Sequence, residues 1–293
     1  MKKNIVISFG INSKNFSIWS NGSVQNVFFL FLLLEKINDY NVYIVNFGKP
    51  ISEISCDDVF KLDDINFTNW DDIKNDVDVF IEAGITVDDS IIKELKNNGT
   101  KIIQFRTGNA YIIDNEDILF NDNSKSLNIN KYDQIWILPH HSKINKQYLE
   151  QIYKSPTYIM PFIWDSFIID MYNEYLKSNG FNSNYENIKK PKNILIMEPN
   201  LNVIKSCIIP ILISEKTYNR DNNLINKVIV FNTNKIKNNN KFLSIIKSLN
   251  IYKNNILQLE DRYNTPFILS KYGDIVLSHQ WENELNYLYL DVL

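Results

Sequence analysis

The stretch Asn193-Ile-Leu-Ile-Met197-Glu198-Pro199-Asn200 decides the fold. Ile194 to Met197 form an unbroken apolar run, which reads as a strand covered on both faces, and Pro199 with Asn200 ends it. A helix-like segment over 202–214 follows. Strand-like runs at 227–232, 255–259 and 274–278 then alternate with helix-like runs at 239–249, 265–271 and 282–293. Such βα alternation builds a parallel sheet with helices on both faces.

Upstream of that stretch, 181–191 is polar and Asn-rich, with Lys189, Lys190 and Pro191 at its end. It reads as a linker. Before it, 165–180 reads as a helix closed by Gly180, a residue suited to a helix C-terminus. Further back the same rhythm returns. Strands are expected at 4–9, 41–46, 77–82, 101–105, 134–138 and 157–160, with helices at 23–37, 88–97 and 146–153. The fold class expected is therefore α/β, with two Rossmann-like doubly wound parallel-sheet domains at 1–180 and 192–293, and right-handed crossovers leave few other topologies. The second domain is expected to be incomplete. It has four strands, and its last helix stops on Leu-Asp-Val-Leu without a cap.

At 293 residues, each half is long enough to bury its own core. The chain is 44% hydrophobic and 22% charged, which excludes a disordered chain. Its net charge of −3 and pI near 5.7 give no basic excess, so nucleic acid is not the expected partner. Cys56 and Cys207 lie far apart, and His140, His141 and His279 are scattered, so no disulfide framework or zinc site is expected. The apolar run at 27–34 is too short to span a bilayer and reads as a buried helix. No signal peptide is legible after Met1, so a cytoplasmic location is expected.

Ligands of open α/β sheets bind beyond the carboxyl ends of the strands, which singles out a few residues. After the first strand, the loop through Trp19 and Asn21 to Gln25 is long and polar, and it lacks the Gly-x-Gly-x-x-Gly of a dinucleotide site. It either meets a ligand or packs Trp19 back on the sheet. Arg106 and Asn109 follow the fourth strand-like run. Arg106 suits an anion, or else pairs with a carboxylate such as Asp114. His140 could act as a general base or bond a sugar hydroxyl, while His141 and Trp164 read as structural. In the second half, Glu198, Asn200 and Lys205 surround a helix start. Backbone N–H groups there favour a pyrophosphate, with a dipole contribution of about 0.3–1 kcal/mol. The alternative is a buried Glu198 and a solvated Lys205. Arg262 meets phosphate or closes a surface pair with little energetic consequence. At the end come His279 and Glu282, and Asn283 is spaced to share a helix face with Asn286 and, two turns on, with Asp291, either for sugar hydroxyls or within a capped amphipathic helix carrying Tyr287 and Tyr289.

Taken together, the segments 17–26, 106–109, 135–139, 198–205 and 278–291 resemble, in order and spacing, a bacterial domain-of-unknown-function family treated as glycosyltransferase-like, with the two-domain GT-B architecture. The resemblance runs along essentially the whole chain. The sequence is more widely similar to retaining GT-B glycosyltransferases, in which an Arg and a Lys hold the donor diphosphate and two Glu meet sugar and ribose. Lys205 matches the Lys, and Asn200 stands in place of the Arg. Asn283 and Asp291 stand in place of the two Glu, so Asp291 can still accept from ribose hydroxyls, while Asn283 cannot carry the negative charge of the first Glu.

The resemblance implies transfer of a sugar from a nucleotide-sugar donor, bound in a cleft between the domains, without a metal or other cofactor. Its implied catalytic groups are His140, Arg106 and Glu282. The implied donor set is Glu198, Asn200, Lys205, Arg262, His279, Asn283 and Asp291. Trp19, Asn21, Gln25 and Asn109 line the acceptor side. The acceptor class (glycan, lipid or protein) and peripheral association with a membrane stay open. A second reading is a non-catalytic nucleotide or sugar binder on the same scaffold. A sugar-nucleotide epimerase would need paired carboxylates, for which only Glu198 and Glu282 stand in place.

Overall fold

The computed structural model describes residues 2–20, 22–62, 65, 67–121, 127, 131–181 and 191–292. The chain divides into two compact units, Met1–Asp165 and Ser166–Leu293. In the first, the elements in chain order are β1 (Lys3–Phe9), β2 (Asn15–Phe16), α1 (Gly22–Glu35), β3 (Tyr40–Asn46), β4 (Ser55–Cys56), α2 (Trp70–Ile73), β5 (Val79–Glu82), α3 (Asp89–Asn97), β6 (Lys101–Arg106), α4 (Ala110–Phe120), β7 (Gln134–Ile137), α5 (Ser142–Tyr153) and β8 (Thr157–Ile159). Six strands form one parallel sheet in the order β3-β1-β5-β6-β7-β8. The short β2 and β4 pair separately.

This order reverses between β1 and β5, which is where an open α/β sheet leaves a crevice at its carboxyl edge. Here the two strand ends are packed closely on each other. The Ser8 hydroxyl donates to the carbonyl of Ala83 (2.8 Å) and accepts from its N–H (2.9 Å). Gly10 lies so close to Ile85 that a Cβ would fall 2.6 Å from the Ile85 side chain. Gly84 takes φ +65° beside Val27, a backbone conformation glycine adopts without strain. Between α3, α4 and α5 and the sheet, Phe80, Ile102, Ile135 and Ile137 pack with Leu95, Ala110 and Leu149. Apolar stretch 27–34 lies within α1, its first half buried against the sheet. No helix among the described residues is long and apolar enough to cross a membrane.

The second unit contains α6 (Phe167–Ser178), β9 (Lys192–Ile196), α7 (Ile208–Arg220), β10 (Ile225–Val230), α8 (Asn240–Ser248), α9 (Asn250–Lys253), β11 (Leu257–Leu259), α10 (Thr265–Tyr272), β12 (Ile275–Val276) and α11 (Tyr287–Asp291). Its parallel sheet runs β11-β10-β9-β12, with the reversal between β9 and β12. Alternation along β9 sends Ile194 and Ile196 into one core with Ile211, Phe242, Ile246 and Ile251. Leu195 and Met197 face the opposite core with Ile268. Coverage on both faces is why the strand reads as an unbroken apolar run.

Every strand expected from the sequence is present, within two residues at each end. Helix α6 packs on α10, so by its contacts it goes with the second unit, whereas the sequence placed it before the linker. Gly180, at φ +83°, closes it, with the Phe181 N–H returning to the Leu176 carbonyl. Most of the expected linker, 182–190, lies outside the described residues.

Two helix expectations are corrected. The helix after β9 starts at Ile208, not at 202, because 200–207 closes into a loop: the Asn200 N–H donates to the Lys205 carbonyl, and Asn200 Oδ1 accepts from the Cys207 N–H. The helix expected from Glu282 onward is the five-residue α11. Glu282 takes φ +51°, outside the helical region, and the Asn286 side chain caps the Leu288 N–H. Asn283 and Asp291 therefore share no helix face.

Candidate functional site

The carboxyl edge of the second unit gathers most of the residues expected to meet a donor at the reversal between β9 and β12. Glu198, just past β9, is fully buried. Its Oε1 accepts from the Ser278 hydroxyl and from the His279 backbone N–H (3.0 Å), and its Oε2 accepts from Gln280 Nε2 (3.1 Å). Gln280 Oε1 in turn accepts from the amide of Asn283, which is also buried and donates to the Leu285 carbonyl. One carboxylate thus ties together two segments separated by 80 residues. Burial pushes the Glu198 carboxyl above its ordinary value, against the pull of these hydrogen bonds and of Lys205.

Lys205 sits in the 200–207 loop, half-buried. Burial lowers its pKa and the field of Glu198 raises it, with burial the larger effect. No carboxylate lies within ion-pair distance of its ammonium among the described residues, and Glu198 acts on it only through its field.

Asn200 holds the loop in place. It takes φ +53°, a region that Asn tolerates, and its amide donates to the Glu198 carbonyl at 3.1 Å. Asn232, at φ +57° after β10, does the same from the neighbouring strand, donating to the Met197 carbonyl at 2.9 Å. The side-chain groups of Asn200 and Asn283 are thus committed to the loop framework. His279 contributes its backbone to Glu198 and exposes its ring. Glu282 is exposed, as is Arg262 after β11, next to the Asp261–Lys237 ion pair (2.9 Å). Asp291 is half-buried on α11, where Tyr289 lies 3.4 Å from the Ser278 hydroxyl.

In the first unit, Arg106, Asn109 and His140 come to one edge, beyond β6 and β7. Arg106 is held as a fork: Nε donates to Gln104 Oε1 (2.9 Å), Nη2 donates to the Tyr153 hydroxyl (2.6 Å), and the guanidinium lies 5.7 Å from the Tyr153 ring centre. Asp114, its alternative carboxylate partner, instead accepts from the Tyr148 hydroxyl (3.0 Å). Asn109 caps α4, accepting from the Ile112 N–H. The His140 ring lies tilted against that of His141, with centres 3.9 Å apart, in the turn Pro139–His141. Trp19 and Gln25 are buried, and Asn21 lies outside the described residues. Among the described residues, no three His, Cys, Asp or Glu side chains converge in a way that could hold a metal ion.

Behind Arg106 lies a buried polar network that the sequence does not announce. Glu82, at the end of β5, accepts from Lys131 Nζ (2.7 Å), the Val87 N–H (3.2 Å) and the Tyr132 hydroxyl (2.5 Å). Gln104 links it to Arg106, donating to the Tyr132 oxygen at 2.7 Å. The signal was faint, because Lys131 lies in a polar Asn- and Ser-rich stretch without periodicity.

Among solved structures, the chain is similar to the UDP-GlcNAc 2-epimerase from Methanocaldococcus jannaschii at 12% identity, over 91% of this chain and 75% of that one, with a TM-score of 0.40. That likeness is too distant to bear on activity. No curated protein matches the sequence significantly. Residues 5–293 match the family described as protein of unknown function (DUF2827), and the chain belongs to that family.

Proposed function

We propose that this protein transfers a sugar from a nucleoside-diphosphate sugar to an acceptor without a metal, the donor being held by the second unit. The observation that carries the reading is the half-buried Lys205, without an ion-pair partner among the described residues, beside the β9–β12 reversal, where an open sheet takes its ligand. Lys205 holds the diphosphate, Asp291 the ribose, and Glu282 meets the sugar. Arg106 and His140, on the first unit, face the acceptor.

A second reading, nucleotide-sugar binding without transfer, is favoured by one feature. Both oxygens of Glu198 are engaged internally and the residue has no exposed surface, so it offers no free base. A thermal-shift screen against nucleotide-sugars tests binding. A ligand at a hundred times its Kd stabilises the protein by about 2.7 kcal/mol, and Lys205→Ala should abolish most of that response. If no nucleotide-sugar stabilises the protein, or the variant responds as well as the wild type, the donor site is misplaced. Stabilisation without donor consumption leaves binding alone.

A further inference from the structure

We infer that Arg106 forms an oxyanion-binding site on the first unit, so that the ligand of this unit carries a carboxylate or a phosphate. The guanidinium is fixed from behind by two neutral groups, Gln104 and Tyr153, and neither cancels its charge. The acids that could do so are occupied. Glu82 is paired with Lys131, and Asp114 is bonded to Tyr148. No carboxylate lies within 4.0 Å of Arg106 among the described residues. A half-buried cation held in one orientation without a counter-ion is costly, and an oxyanion that accepts from the remaining N–H edge removes that cost. Its position favours this too. Arg106 ends β6 at the carboxyl edge, followed by the half-buried Thr107 and Gly108, whereas at the β1–β5 reversal of the same sheet Gly10 packs closely on Ile85. Under the glycosyl-transfer reading this ligand is the acceptor, and only that last identification rests on it.

The test uses the wild-type chain, whose only arginines are Arg106, Arg220 and Arg262. Phenylglyoxal adds to accessible guanidinium groups, and peptide mass spectrometry reads each arginine separately. Labelling is followed in sodium phosphate, in sodium acetate and in sodium chloride at matched ionic strength. By mass action, an oxyanion at ten times its Kd should slow labelling of Arg106 about tenfold relative to chloride, with Arg220 unchanged. Protection by phosphate alone assigns a phosphate-bearing ligand, and protection by acetate alone a carboxylate-bearing one. Equal rates in all three salts, slowing of Arg220 to the same degree, or an Arg106 that does not label in chloride overturns the site. The readout is independent of Lys205, so a protected Arg106 with no nucleotide-sugar response sinks the donor reading and leaves this site standing.

Discussion

The carboxylate of Glu198 accepts a hydrogen bond from the hydroxyl of Ser278, joining the carboxyl ends of β9 and β12. The His279 N–H and the Gln280 amide converge on the same group, so all of its partners are donors. Glu198→Gln places an NH₂ group against at least one of them. Leaving a buried donor without an acceptor costs about 1–3 kcal/mol, and equilibrium urea unfolding should show a loss of that size. The titration adds a signed pH dependence. Burial raises the folded carboxyl above its ordinary value of 4.5, so the folded state holds the proton where the unfolded chain has lost it. The associated stability is complete below 4.5 and is lost as pH rises to the raised value. The difference between wild type and Glu198→Gln should therefore shrink as pH climbs through that window. A difference that grows with pH would contradict the burial argument.

Asn200 is required twice, for its φ of +53° and for the acceptor it gives the Cys207 N–H at 2.8 Å. Asn200→Ala loses both and should cost about 1–3 kcal/mol. Asn200→Gly loses only the side-chain bonds, and relief of the left-handed strain should make it less costly than Ala by about 1 kcal/mol. Urea midpoints for the two variants give the order directly. If Gly is the worse of the two, the left-handed backbone is not what Asn200 supplies.

Lys131 and Glu82 form an ion pair with side chains 2% and 3% exposed. Removing one member strands the other. Lys131→Met should therefore destabilise the protein by about 3–5 kcal/mol. Adding Glu82→Gln removes the stranded charge while keeping a polar group for Val87 and Tyr132, so the double variant should recover most of the loss. Single and double variants that unfold alike would mean the charge itself is not what Lys131 compensates.

The sheets were legible in the sequence because buried parallel strands are unbroken apolar runs, and Ile194 to Met197 shows this in four residues. The segment around Asn283 was not legible. Polar residues three and four apart read as a helical face, but here Asn283 is drawn into the network of Glu198 and Gln280, and Asn286 caps a new helix instead of continuing one. Competition of Asn side chains for backbone N–H groups is local chemistry that periodicity does not register. The Lys131–Glu82 pair was hidden for a different reason: 49 residues separate its members, and nothing in either neighbourhood marks a burial partner. Of the candidate site, the strand ends were legible and the roles were not, since Glu198 and Asn200 are polar residues at the carboxyl edge of the sheet whose groups are spent on holding that edge together.

Cys207 offers a probe of that edge. Burial pushes its thiol up to about 12, and it is 1% exposed. Alkylation needs the thiolate, and at pH 8 a pKa near 12 against an ordinary 8.5 leaves about a thousandfold less of it. Iodoacetamide should therefore modify the half-buried Cys56 at least about a hundredfold faster than Cys207, with Cys207 reacting mainly through transient opening of the second unit. The Cys207 N–H is anchored to Asn200, so Asn200→Gly should speed labelling at Cys207 and leave Cys56 unchanged. Peptide mass spectrometry resolves the two sites. Equal rates at both cysteines in the wild type would show that the β9 edge is open in solution, and the loop anchored by Asn200 would then be unable to hold Lys205 in place.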